Sequence, residues 1–181
     1  MHDELYEEIF EAGALSSTAW LTSASRLKHA ADILFDRYEV ERSAVGTRDA
    51  PIDLAEMSLG LTATLLYGFA MENALKAVAV KKSPALAQGG NLRKWPSDGH
   101  DQSALASMIG LSLTAAQEEL LASLTAFVRW AGRYPVPKKP SDMPLRKPSS
   151  MFALPPAALA ERERDEFDKL YAVLCQIVVS D

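Results

Sequence analysis

Apolar residues recur along this chain at helical spacing almost from end to end. Over residues 3–12, Leu5 and Ile9 share one side of a helix, Tyr6 and Phe10 lie beside them, and Gly13 closes the element. Ser16 or Ser17 then offers an N-cap. The next segment, about 18–43, sets Trp20, Ala24, Leu27, Ala31, Leu34 and Tyr38 in steps of 4, 3, 4, 3 and 4, the seam of a helix. Arg26, Lys28, Asp32, Arg37 and Glu41 occupy its outer side, and Gly46 to Pro51 reads as a turn.

A third helix starts at Asp53, with Glu56 three residues on as a capping box, and runs to about Lys82. Its seam is Met57, Leu61, Thr64, Gly68, Met71, Leu75 and Val78, and Leu65 and Phe69 widen the apolar surface nearly all round. Such a helix belongs in the middle of a bundle. Leu61, Leu65, Phe69, Leu75, Leu124 and Phe127 are therefore the expected core. Gly68 costs about 1 kcal/mol relative to Ala inside a helix, which a close approach by a neighbouring backbone would justify.

Residues 83–100 read as a long loop. Asp101 caps a short helix over 102–109 that Gly110 ends, and Thr114 with Gln117 opens another helix that reaches about Ala131. Residues 132–156 hold seven of the ten prolines and cannot be helical as a unit. A last helix follows over about 157–179, with the seam Phe167, Leu170, Leu174 and Ile177. These elements predict an all-α, up-and-down bundle of four long helices with two short extra ones. It forms a single domain over residues 1–181 with a proline-rich loop at 132–156.

Composition narrows the function classes rather than naming one. The 181 residues are 48% apolar and 24% charged, which excludes a disordered chain and a disulfide scaffold. Cys175 is the sole cysteine, so no internal disulfide forms, and with three histidines there is no Cys/His zinc set; no metal or cofactor is expected. The acidic N-terminal stretch excludes a secretory signal. The uncharged run Met57–Met71 is 15 residues, short of the roughly 18 that span a bilayer, so a cytoplasmic protein with no membrane contact is expected. The net charge of −5 argues against a general DNA coat, but residues 81–100 sum to +3 and residues 129–147 to +5. Together they could form an anion-binding rim on an acidic body, or simply offset helix dipoles.

Three groups of residues could carry chemistry. Glu72 lies close to the apolar seam of the third helix with Lys76 one turn on. A carboxylate there needs partners, either as a buried structural pair or as a group facing a cleft. Arg129 and Arg133 share a helix face, and Trp130 and Tyr134 repeat that spacing one position over. Two guanidiniums beside two aromatics, continued by Lys138, could hold a phosphate and stack a base, or the arginines could pair with acids while the aromatics seal the bundle end. His100, in Gly99-His100-Asp101, is either a turn residue or a general acid or base. No nucleophile elbow or glycine-rich phosphate loop is present.

The pieces Tyr67-Gly68-Phe69-Ala70-Met71-Glu72-Asn73-Ala74-Leu75-Lys76-Ala77 and Gly99-His100-Asp101-Gln102-Ser103-Ala104-Leu105-Ala106 resemble two elements of HEPN-domain proteins, and the resemblance covers residues 53–134. It implies a bundle of four or five helices and a homodimer. It also implies an RNA- or nucleotide-related binding module, in a toxin–antitoxin or defence system, or a partner of a small nucleotidyltransferase. Catalytic members of that superfamily carry an Arg, then four to six residues, then a His that acts with it on an RNA phosphodiester without metal. Arg93 and His100, with six residues between them, meet that spacing, so a metal-independent endoribonuclease is the alternative.

Overall fold

The computed structural model describes residues 2–45, 54–86, 95–134, 139 and 158–180. Among these the chain is all-helical, with six α-helices: α1 (His2–Leu15), α2 (Ser17–Val45), α3 (Leu54–Lys82), α4 (Gln102–Met108), α5 (Ala115–Ala126) and α6 (Glu161–Val179). A 3₁₀ turn, Pro84–Leu86, follows α3, and a π-helical turn, Phe127–Ala131, prolongs α5. The all-α class is as the periodicity predicts, whereas α1, with 14 residues, is longer than α5, with 12. Asp53 and the whole of 140–157 lie outside the described residues.

The caps explain most boundaries. Ser16 Oγ accepts the Ala19 amide at 3.1 Å and starts α2, while α1 runs through Gly13 to Leu15 rather than ending there. Asp101 caps α4 through the Ala104 amide at 3.0 Å. Thr114 and Gln117 make the expected reciprocal box on α5. The last helix begins at Glu161, later than the expected 157. The reason is Thr64, whose hydroxyl accepts the Leu159 amide at 3.0 Å and holds that stretch extended against α3.

α3 is the axle of the molecule, with Ala63, Tyr67, Ala70, Met71, Ala74, Leu75 and Val78 fully buried. α2 lies antiparallel to it: Tyr38 packs at Gly60, Asp32 accepts the Tyr67 hydroxyl at 2.7 Å, and Trp20 stands over Lys76. Small residues on α2, Ala24 and Ala31, let the two helices close up. α6 runs parallel to α3, with Phe167 on Tyr67 at 4.7 Å and Lys81 donating to the Val178 carbonyl at 3.0 Å. α5 is antiparallel, since Leu124 and Val128 meet Gly68 whereas Gly132 meets Leu65.

Gly68 has the packing role its cost implies. A Cβ there would lie 2.7 Å from Val128 Cγ2 and 3.3 Å from the Leu124 carbonyl oxygen, and the Gly68 carbonyl accepts the Gln102 side chain at 2.9 Å. One residue thus lets α4 and α5 approach α3 together. Leu75, Leu124 and Phe127 are buried as expected. Leu61, Leu65 and Phe69 are only half-buried, a correction to the expected core. They form one stripe at the edge of the contact with α5, where the small Gly132 is what meets Leu65.

A second polar knot ties α2, α3 and α6. Lys28 pairs with Asp32 at 2.9 Å and with Asp168 at 2.8 Å, and Arg164 reaches Asp36 at 2.6 Å and Asp32 at 3.3 Å. Burial alone would raise the Asp32 pKa, but the Tyr67 hydroxyl and Lys28 outweigh it and hold the carboxyl below its ordinary value. Burial, together with the bond to Asp32, pushes the Tyr67 phenol upward, so both groups keep their ordinary charge states at neutral pH.

Candidate functional site

The site grows from the turn that precedes α4, Trp95-Pro96-Ser97-Asp98-Gly99-His100-Asp101. The Gly99 amide donates to the Pro96 carbonyl at 3.1 Å. Two residues take left-handed backbone: Gly99, at φ 79°, which glycine does freely, and Ser97, at φ 58°, which a residue with a Cβ does at a cost of order 1–3 kcal/mol. Asp98 offsets that strain. Its carboxylate accepts the His100 amide at 3.0 Å and takes both Nε and Nη2 of Arg129, at 3.1 and 3.0 Å. Arg129 Nη2 also donates to Ser97 Oγ at 3.0 Å and lies 3.6 Å from Asp101. Burial works to raise the Asp98 pKa, yet Arg129 and the His100 amide prevail and hold it below the ordinary carboxylate value.

Arg129 lies in the π-helical turn, whose closing bond runs from the Gly132 amide to the Phe127 carbonyl at 3.1 Å. Such a turn adds a residue to the helix and changes the direction of the side chains it carries. Arg129 is thereby set against the Asp98 turn and Trp130 is turned inward and buried. Base stacking on Trp130, one of the sequence expectations, is therefore corrected: that ring is in the interior. Arg133 donates to the Val128 and Arg129 carbonyls, at 2.6 and 3.0 Å, closing the helix end. It also lies 5.5 Å from the exposed ring of Tyr134.

Beneath the turn lies the charged centre. Glu72 is 6% exposed and Lys76 7%, both on α3. Lys76 Nζ donates to Glu72 Oε1 at 2.7 Å, and the other carboxylate oxygen, Oε2, meets His100 Nδ1 at 3.0 Å. The expected contact of Glu72 with Lys76 is present, and neither Arg129 nor Arg133 replaces it. The ammonium of Lys76 stands 5.7 Å from the Trp20 ring and 5.5 Å from the Trp95 ring, and the two indoles meet edge to face at 6.0 Å. This aromatic box holds a cation belonging to the protein itself.

The His100 side chain is 40% exposed. With Nδ1–H donated to Glu72, the neutral ring keeps its lone pair on Nε2, the form that accepts a proton. A buried carboxylate and a partly exposed imidazole thus meet beside a strained turn. Among the described residues no cluster of three His, Cys, Asp or Glu side chains is suited to a metal ion, and no helix is long and apolar enough to cross a membrane.

Arg93 and Lys138 fall outside the described residues. Of the two basic segments, Ser97 and Asp98 of the first meet Arg129 of the second, while Lys94, Arg146 and Lys147 also lie outside the described residues. Lys81 and Lys82 spend their ammoniums on backbone carbonyls at the C-terminal end of α3, including those of Val178 and Ile109. Arg129 belongs to the turn that packs at Gly68, about 20 Å back along that helix at 1.5 Å per residue. The antiparallel course of α5 separates the two groups. Sequence reasoning missed Trp20, Trp95, Asp98 and the bond from Asp101 to Arg129. The available signal was a tryptophan beside a Pro/Gly/Asp turn next to His100.

No family model, curated protein or solved structure matches this chain.

Proposed function

We propose that the chain is a HEPN-like module with an RNA- or nucleotide-related binding role, built as an up-and-down bundle of four long helices with two short extra ones and working as a homodimer. The observation that carries the reading is the junction of Glu72 with His100. The two stretches that bear the HEPN resemblance lie 28 residues apart at these positions and meet through a 3.0 Å hydrogen bond. On the same side Arg129 is clamped to the His100 turn, and the exposed Arg133 and Tyr134 supply a cation and a ring to phosphate and base. A place in a toxin–antitoxin or defence system, with a nucleotidyltransferase as protein partner, is what the resemblance adds.

Fluorescence anisotropy of labelled single-stranded RNA tests the reading. Affinity should fall with salt at a slope near −0.7 per phosphate contact, and Arg133→Ala with Tyr134→Ala should flatten the slope and weaken binding at least fivefold. Equal, weak binding by the wild type and the double variant at low salt would overturn it.

A second reading, metal-independent endoribonuclease, is favoured by the orientation of His100. The 2′-hydroxyl would attack the adjacent phosphorus and the P–O5′ bond would break, leaving a 2′,3′-cyclic phosphate and a 5′-hydroxyl. His100 Nε2 would take the proton of the nucleophile or return one to the leaving oxygen, and Arg93 would polarise the phosphate. Cleavage that persists in EDTA and is lost in His100→Ala would support this reading.

A further inference from the structure

Arg129 is engaged in the manner of a phosphate binder. Its Nε and Nη2 both donate to the Asp98 carboxylate, at 3.1 and 3.0 Å, so one guanidinium edge meets two oxygens of one anion. A phosphate group takes that same edge with two of its own oxygens. Ser97 Oγ accepts a further Nη2 hydrogen at 3.0 Å, and Asp101 stands 3.6 Å away. The pair is open to water, with the Arg129 side chain 34% exposed and that of Asp98 51%.

Three features make this contact exchangeable. An exposed ion pair is weakly held, because water competes for both partners and salt screens them. Closing this one sets Ser97 in left-handed backbone, at φ 58°, a conformation that opening would relieve. A second cation stands one turn on: the exposed Arg133 donates to the Arg129 carbonyl at 3.0 Å and lies against the exposed Tyr134 ring.

We infer that Arg129 is a binding residue for phosphate groups, and that in the free protein Asp98 holds the place of the phosphate as an internal competitor. An arriving phosphate displaces the carboxylate from Nε and Nη2, and the carboxylate turns to water. The same carboxylate accepts the His100 amide at 3.0 Å, so the exchange also releases the turn that carries His100. Occupation of Arg129 is thereby coupled to the seat of the imidazole on Glu72. The inference rests on the RNA- or nucleotide-related reading for what carries the phosphate, and not for the exchange itself.

Inorganic pyrophosphate, added at constant ionic strength and followed by ¹H–¹⁵N NMR of the Arg129 Nε group and the amides of residues 97–101, tests it. Asp98→Asn removes the competing charge and keeps an acceptor for the His100 amide. It should lower the pyrophosphate dissociation constant about fivefold or more. In an Arg129→Gln background the same change should alter the affinity less than about twofold. Ser97→Asn tolerates left-handed backbone and keeps an acceptor, so it should favour the closed pair and weaken pyrophosphate binding about twofold or more. Unchanged or weaker binding by Asp98→Asn, with helix content unaltered in circular dichroism, would overturn the inference. So would a gain that survives without Arg129, which is long-range charge alone, or tighter binding by Ser97→Asn. Labelled single-stranded RNA is the second arm, and Asp98→Asn should bind it tighter by a similar factor. Pyrophosphate exchange with no RNA binding would keep the Arg129 site and refute the RNA reading. RNA binding that needs Arg133 and Tyr134 but is indifferent to Asp98→Asn would do the reverse.

Discussion

Glu72→Ala is the most informative single change in the molecule. It removes the carboxylate that accepts Lys76 Nζ at 2.7 Å and His100 Nδ1 at 3.0 Å. The ammonium is then left 7% exposed, with two indole faces as its remaining support. Breaking a buried ion pair from one side costs about 3–5 kcal/mol. Cation–π contact with Trp20 and Trp95 offsets about 0.5–2 kcal/mol of this. The net expectation is a loss of about 2–4 kcal/mol, read as a lower urea midpoint with unchanged slope. Glu72→Gln, which keeps the volume and an acceptor, should lose less. Replacing both partners, Glu72→Met with Lys76→Met, should be close to neutral, because no unpaired charge remains. The Ala cycle at the two positions should give a coupling energy above about 1.5 kcal/mol. A coupling below about 0.5 kcal/mol, the range of surface pairs, would refute a buried charged centre at this place.

Two further outcomes concern the frame around that centre. Gly68→Ala improves helix propensity by about 1 kcal/mol, but its Cβ would meet Val128 Cγ2 at 2.7 Å and the Leu124 carbonyl at 3.3 Å. Overpacking of about 1–3 kcal/mol should make the change destabilising overall in urea unfolding, and adding Val128→Ala should recover part of the loss. Asp32 and Asp98 have folded pKa values below the ordinary 3.8. Their contribution to stability is fully present above that value and is lost as pH falls through their lower folded values. Melting temperature should therefore drop between about pH 4 and pH 2, and less so in Asp98→Asn, which lacks one share of the effect from the outset.

Helix positions were legible because each rests on local chemistry. Asp101, Thr114 with Gln117, and Ser16 cap the elements their sequence marks, and the all-round apolar character of α3 places it at the centre. Gly68 and the Glu72–Lys76 pair were readable for the same reason: a glycine and a carboxylate in an apolar helix each require a neighbour. What escaped was set by loops and register. The bond from His100 to Glu72 depends on the path of the turn 95–101, and the box of Trp20 and Trp95 unites residues 75 positions apart. The π-turn at Phe127–Ala131 shifts register by one residue, so the spacing that put Trp130 on a stacking face gave the wrong side. Leu61, Leu65 and Phe69 show the remaining limit: a helix that is apolar all round does not reveal which side its neighbours leave uncovered.

The most direct measurement on the proposed site is ¹⁵N NMR of the His100 ring, free and with a short single-stranded RNA added. The bond to Glu72 predicts that the neutral ring carries its proton on Nδ1, and that Glu72→Gln weakens this preference. The account predicts that saturating RNA shifts Nε2 more than Nδ1 and that the shift is lost in the Arg133→Ala, Tyr134→Ala variant. A ring signal that stays unchanged while RNA binds elsewhere, or a proton found on Nε2 in the free protein, would contradict it.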